Sequence, residues 1–264
     1  MRTVRTILAA TALLSISSAA ASAQAFNSGV PVGYTCAGVC GAAATPNGSI
    51  GAVPTGSTQV GFVTTAASTN YADPLGLGAS SRNGSQLSSS SFAATPGDVL
   101  SFYFDYITSD GAGFADYAYV RLLGTSNTTL FTARTTPSGN TVPGFGLAGI
   151  DPNVTLIPNA TPIFTGTSFP SGGISGCYNA NGCGNTHWIA ATYTVQTADT
   201  YTLQFGVNNW SDTGFNSALL FDFSQAEGQA PTVDISGTPE PASLVLLATG
   251  LLGVAGVARR KRSK

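Results

Sequence analysis

An all-β fold is what this sequence predicts, and three observations carry it. Apolar and polar residues alternate over Val99 to Ile107 and again over Tyr201 to Val207, the two-residue period of a strand. Connectors rich in Gly, Asp, Ser and Thr separate such runs, as at Ser109 to Asp116 and Gln196 to Thr200. Between the two ends of the chain no stretch has the 3.6-residue apolar period of an amphipathic helix. Short strands at regular spacing with turn chemistry between them read as an antiparallel β-sandwich of jelly-roll type.

The elements follow in order. Arg2 and Arg5, the mostly apolar Ile7 to Ile16, and the small-x-small triplets Ala21-Ser22-Ala23 and Ala23-Gln24-Ala25 have the layout of a secretory signal peptide. Residues 1–25 are therefore assigned to it, with a mature chain starting at Gln24 or Phe26 and the Sec translocon as the implied export partner. The extracellular sandwich domain is assigned to residues 26–236. Its strands are expected at Gln59–Thr65, Val99–Ile107, Tyr117–Leu123, Leu130–Thr135, Trp188–Gln196, Tyr201–Asn208 and Ala218–Phe223. Leu100, Phe102, Phe104 and Tyr106 share one face, with Ser101, Tyr103 and Asp105 opposite. Tyr201, Leu203, Phe205 and Val207 likewise point one way, with Thr202, Gln204 and Gly206 facing away. Both patterns describe a strand with one wet face. Thr136 to Thr186 breaks the rhythm. Some 50 residues rich in Pro, Gly, Asn and Thr make a loop that must be functional or stapled. Short strands are expected inside it, at Val154–Ile157 and Pro162–Phe164.

Charge narrows the function classes. Between residues 26 and 236 there are three Arg, no Lys, ten Asp and one Glu, a balance of about −8 that the basic ends hide in the whole-chain value of −2. A Lys-free acidic domain is a poor partner for nucleic acid, where phosphate contacts need Lys and Arg. Anionic lipid surfaces repel it too. Divalent cations and neutral sugars suit it better.

Four cysteines, Cys36, Cys40, Cys177 and Cys183, sit in two close pairs. In an exported chain these suggest the disulfides Cys36–Cys40 and Cys177–Cys183, although four cysteines allow three connectivities. The alternative is zinc on Cys177, Cys183 and His187, a spacing that matches no usual zinc module. Asp105, Asp110 and Asp116 flank the first strong hairpin. They form either a calcium loop or a set of turn-capping aspartates. No cofactor is expected beyond such a calcium ion. Asn208, Asn209, Asp212, Asn216 and Asp222 surround Trp210, a composition that serves either a sugar or calcium loop or a strand connection whose Trp closes the core. The sole histidine, His187, has no G-x-S-x-G serine in the chain to pair with. Glu227 is the lone glutamate of the domain, so two-carboxylate hydrolysis would fall to the aspartates. The chain is expected not to be an enzyme.

The C-terminus carries the most specific pattern. Pro239-Glu240-Pro241 is followed by an uncharged run from Ala242 to Ala258, then by Arg259, Arg260, Lys261 and Arg262. Seventeen residues reach about 26 Å as a helix, near the lower limit for crossing a bilayer, and the basic cluster keeps that end cytoplasmic. Residues 237–264, with a single transmembrane helix at 242–258, resemble the PEP-CTERM sorting signal of exported proteins of Gram-negative bacteria. The resemblance implies that an exosortase, a membrane-embedded cysteine transpeptidase, cuts near Pro239-Glu240-Pro241 while the chain is held transiently in the inner membrane. It also implies release to the cell surface or medium, often alongside exopolysaccharide or in biofilm. Residues 102–124 and 130–146 resemble exported PEP-CTERM-bearing proteins without an assigned activity. Residues 198–223 resemble the closing strands of sandwiches of the carbohydrate-binding-module type.

Overall fold

The computed structural model describes residues 26–70, 73–78, 81–178 and 181–223. The expected signal peptide, the Pro239-Glu240-Pro241 segment, the 242–258 span and the basic cluster lie outside the described residues. Among those described, thirteen strands form two antiparallel sheets. One sheet runs β1 (Thr35–Ala37), β4 (Ser81–Ser88), β12 (Asp199–Trp210), β7 (Tyr117–Leu123), β8 (Thr128–Arg134), and β5 (Phe92–Ala94) pairs with the start of β12. The other runs β2 (Val39–Ala44), β3 (Gln59–Thr64), β13 (Ser217–Phe223), β6 (Val99–Thr108), β11 (Ile189–Thr194), β9 (Val154–Ile157), with β10 (Gly184–Asn185) on the end of β6. The connections β3–β4, β6–β7 and β12–β13 each pass from one sheet to the other. The quartet β3-β13-β6-β11 thus faces β4-β12-β7-β8, the interlocked Greek keys of a jelly roll.

The alternating residues build the space between the sheets. Leu100, Phe102, Phe104 and Tyr106 of β6 meet Leu203, Phe205 and Val207 of β12 in one buried cluster. Phe205 stacks on Phe221 with ring centroids 3.9 Å apart, and Phe104 on Phe131 at 4.3 Å. Phe26 is fully buried, edge-on to Phe221 at 5.4 Å. Five large rings in van der Waals contact at this depth are the main source of stability, since each buries roughly 150–250 Å².

The expected wet face of β6 holds at Ser101 and Tyr103, which are partly exposed, but is dry from Asp105 onward. Ile107, Ala218 and Leu220 point outward and are covered by Ile50, Val53, Phe169 and Ile174 from the loops on either side, making a second apolar layer. Asp105, on this same outer face, is therefore fully buried. On β12 the outward Gln204 and Gly206 are buried as well. The Tyr119 ring lies across Gly206, where a Cβ would come within 2.0 Å of it. The long Thr136–Thr186 stretch supplies much of this cover. It contains β9 at the expected residues, whereas Pro162–Phe164 forms no strand and contributes one bridge, from Phe164 to Asn185. Strands β1, β2, β4, β5 and β10 were not foreseen. VCGAAA and SRNGSQLS carry no apolar alternation, because their small residues serve to admit neighbouring rings and polar contacts rather than to fill the core.

Candidate functional site

Three loops converge where β6 and β12 end: residues 109–116, the loop closed by Cys177–Cys183, and residues 211–216. Ser109 ties them together. Its N–H donates to the Asn216 carbonyl at 3.0 Å, and its hydroxyl donates to the same carbonyl at 2.9 Å. That hydroxyl also accepts from the Asn216 N–H at 3.0 Å, and the Ser109 carbonyl accepts from the Tyr178 N–H at 2.9 Å. Ala112 donates to the Asn181 carbonyl at 2.9 Å. Gly182 packs so close that a Cβ would stand 2.5 Å from the Ala112 nitrogen, and its φ of +95° lies where glycine is favoured. Both close cysteine pairs are disulfides, with Cα–Cα distances of 6.0 Å for Cys36–Cys40 and 5.6 Å for Cys177–Cys183. Zinc on Cys177, Cys183 and His187 is thereby overturned, because a disulfide sulfur is no thiolate ligand.

The three hairpin aspartates separate. Asp105 faces the outer layer, with Oδ1 accepting from the Thr186 N–H and hydroxyl at 3.2 Å each and Oδ2 buried without a donor. Burial pushes its carboxyl up to about 7 despite those two bonds. Asp110 and Asp116 lie at the loop end. A chain of contacts links them: the Asp110 N–H donates to Thr108 Oγ1 at 3.0 Å, and the Ser217 hydroxyl lies 2.7 Å from both Thr108 Oγ1 and Asp116 Oδ2. Asp116 Oδ1 also accepts from the Trp210 N–H at 3.1 Å. Burial first, then the charges of Asp110 and Asp212, hold Asp116 well above the usual carboxylate range, against the Ser217 and Trp210 bonds. Asp110 is raised to about 7 by burial, with the charge of Asp212 adding to it, and its Oδ2 has no donor. Among the described residues no group of three or more Asp, Glu, His or Cys is placed to hold a metal ion.

The Trp210 cluster also divides. Asn208 and Asn209 are fully buried at the end of β12, and Asn209 Nδ2 donates to Asn83 Oδ1 at 3.0 Å. Asp212 and Asn216 stay partly exposed on the loop. Asp222 is elsewhere. It lies on β13 six residues beyond Asn216, about 20 Å at strand rise, and takes a bond from the Thr55 hydroxyl. The Trp210 ring is occupied: the Arg134 guanidinium lies 3.8 Å from its centroid and Tyr117 meets it edge-on at 5.5 Å. Arg134 is itself held by the carbonyls of Ala115 and Phe145, both at 3.2 Å.

The aromatic surface at this end belongs to residues that sequence reasoning passed over. Phe114, Tyr178 and Phe215 are 46%, 53% and 44% exposed, one from each loop. Their rings touch, with Phe114–Tyr178 at 5.9 Å and Tyr178–Phe215 at 4.8 Å. A signal was available: each sits in a Gly/Asn/Asp-rich connector, GAGFAD, GCYNANGC or DTGFNS, with no strand to bury it. The opposite end of the sandwich holds a cleft of about 290 Å³ lined by Thr125, Asp151, Asn153, Tyr193, Asp199 and Tyr201 among others. Its polar groups already bond one another. Asp199 accepts from the N–H groups of Thr125 and Thr200 at 2.6 and 2.7 Å, Asp151 from that of Asn153 at 2.8 Å, and the Tyr201 hydroxyl donates to the Thr197 carbonyl at 2.7 Å.

Fold and loops together define a disulfide-stapled, all-β jelly-roll sandwich. The sequence beyond it adds an address: residues 238–262 match the family described as PEP-CTERM protein-sorting motif. No curated protein matches the chain. Solved structures similar to it include three cleaved adhesin domains of Lys-gingipain from Porphyromonas gingivalis. The K1 domain is 12% identical, covering 77% of this chain and 97% of its own, with a TM-score of 0.35. For K3 the values are 10%, 77%, 98% and 0.35, and for K2 they are 16%, 78%, 92% and 0.34. The sorting motif implies export to the cell envelope or surface, with an exosortase as processing partner.

Proposed function

We propose that this chain is a non-enzymatic surface or matrix protein, exported through the Sec translocon and associated with exopolysaccharide or biofilm after cleavage near Pro239-Glu240-Pro241. In this reading residues 1–25 are the signal peptide, 26–236 the released domain, and 237–264 a sorting handle that spans the inner membrane transiently. The observation that carries it is the sorting motif at 238–262 behind a domain with two disulfides. Disulfides persist in oxidising compartments, as export requires. Phe26 supports the first boundary, since the domain's core begins with its buried ring. The sole histidine, His187, is accounted for by a packing contact, its ring stacking on Phe164 at 4.7 Å. The secreted form is expected to start between Gln24 and Phe26 and to end near Pro241 by intact mass. Recovery of a surface form that still carries Arg259 to Arg262 would replace processing with anchoring.

One observation favours a calcium ion near Asp110 and Asp116 as a second reading. Asp110 Oδ2 is buried beside a second carboxylate and has no donor, an arrangement a hard cation relieves. Two carboxylates are few for calcium, so carbonyl and amide oxygens would complete the shell. Added calcium is then expected to raise the melting temperature at pH 8 in the wild type and not in Asp110→Asn. Equal melting temperatures with calcium and with chelator would remove the ion from the account.

A further inference from the structure

We propose that the face formed by Phe114, Tyr178 and Phe215 is the binding site for an uncharged polysaccharide. Three half-exposed rings in mutual contact are an unusual use of aromatic surface, which folding otherwise buries. They come from three loops, the part of a rigid sandwich that carries recognition. Their positions are held from beneath by the Ser109 bonds and the Cys177–Cys183 disulfide. The 211–216 loop keeps two non-glycine residues in the left-handed region, Ser211 at φ +73° and Phe215 at +50°. Such conformations persist where the surroundings enforce them, and they gather at sites of function. Here the second of them belongs to one of the three exposed rings.

The ligand class follows from the chemistry of the face. Aromatic faces pack on the C–H faces of a pyranose, and neighbouring amide and carboxylate groups take its hydroxyls. Asp212 and Asn216, both partly exposed, stand on the same loop as Phe215. A polyanion is disfavoured, because the domain lacks Lys and the loops that carry Phe114 and Phe215 each carry a carboxylate, Asp110 and Asp212. A second copy of the chain is disfavoured by area. Three rings about half exposed present roughly 300 Å², against about 800 Å² per partner in a stable protein interface. This assignment rests on the proposed location only for the source of the polysaccharide, and binding can be measured without export.

The test uses the full chain purified in detergent with both disulfides formed. Affinity electrophoresis through gels containing dextran, mannan, xylan or galactomannan, with alginate as the anionic control, reads retardation directly. At least one neutral polymer is expected to retard the protein and alginate is not. Tyr178→Ala combined with Phe215→Ala should weaken binding at least tenfold, and Val32→Ala, which removes an exposed apolar side chain elsewhere, should leave it unchanged. Tyr178→Trp keeps an aromatic face. It should retain binding and show a fluorescence change on titration, which separates loss of the face from loss of the fold. No retardation by any neutral polymer would overturn the proposal, as would undiminished binding in the double variant. A dimer in sedimentation that the double variant dissolves would give the face to a second copy instead. Absence of the secreted form in the mass measurement would fault the location while leaving this site standing.

Discussion

At the end of the sandwich where β7 turns into β8, aspartates clasp backbone. Asp151 accepts an amide N–H of its own turn and Asp199 accepts those of Thr200 and, from the β7–β8 turn, Thr125, bonds that hold Asp199 below the usual carboxylate range. At the other end, where β6 and β12 stop, the same residue type is buried beside like charge. Asp110 and Asp116 are pushed up, aromatic rings face outward, and backbone enters the left-handed region. One end is what turn chemistry alone produces. The other departs from local preference in several independent ways, and such departures gather where a protein meets something else. A cleft of about 290 Å³ belongs to the satisfied end, so a cavity alone is a poor guide here.

The largest effect expected from this contrast is on stability against pH. Asp105, on the half of β6 nearer the loop end, has a folded pKa near 7 against 3.8 ordinarily. A raised folded pKa means that the bound proton stabilises the native state fully below about pH 4, and that this contribution is lost as pH rises through 7. Three units set an upper bound of about 4 kcal/mol. Asp105→Asn keeps an acceptor for Thr186 and removes the ionisation. It is expected to gain about 2–4 kcal/mol at pH 8 and to flatten the profile between pH 4 and 7 in urea titrations. Asp199 has the opposite sign: its depressed pKa gives stability above about pH 4 that is lost on further acidification. A variant weaker than wild type at both pH 5 and pH 8 would show that the ionised Asp105 is satisfied.

The two disulfides offer a second contrast. Their cysteines are separated by four and six residues, so chain entropy assigns each about 2 kcal/mol. Removal of either pair by Cys→Ala should cost a similar amount. Only loss of Cys177–Cys183 should release the aromatic loops and weaken saccharide retardation more than tenfold. Equal loss from both pairs would mean that binding tracks global stability.

The smallest effect separates two aromatics of the loop end. Trp210→Ala forfeits the Arg134 contact and the Tyr117 edge, about 1–2 kcal/mol, and should leave retardation intact. Tyr178→Ala should change stability by less than about 0.5 kcal/mol and weaken binding. The reverse pattern would return recognition to Trp210.

Much of the architecture was readable before any coordinates. Two period-two runs and five further β-rich runs located seven strands, and β9 emerged inside the long loop at its expected residues. The cysteine spacing suggested the bonds that form. Five strands escaped because they are short or built of Gly, Ala, Ser and Asn, which carry no periodic signal. The dryness of the β6 outer face around Asp105 and Ile107 escaped too. Its cover comes from Ile50, Val53, Phe169 and Ile174, far away in sequence, and a local pattern reports a strand's faces without saying what will lie on them.

The linear order of residues was enough to set the export address and the sandwich class and to suggest the disulfide pairs, because each depends on composition or on spacing within a short window. Only the folded chain decided that Trp210 is spoken for, that Asp105 stands apart from Asp110 and Asp116, and that Phe114, Tyr178 and Phe215 form one face. Those residues lie up to about a hundred positions apart. Nothing in their local neighbourhoods records that Ser109 will draw the three loops together.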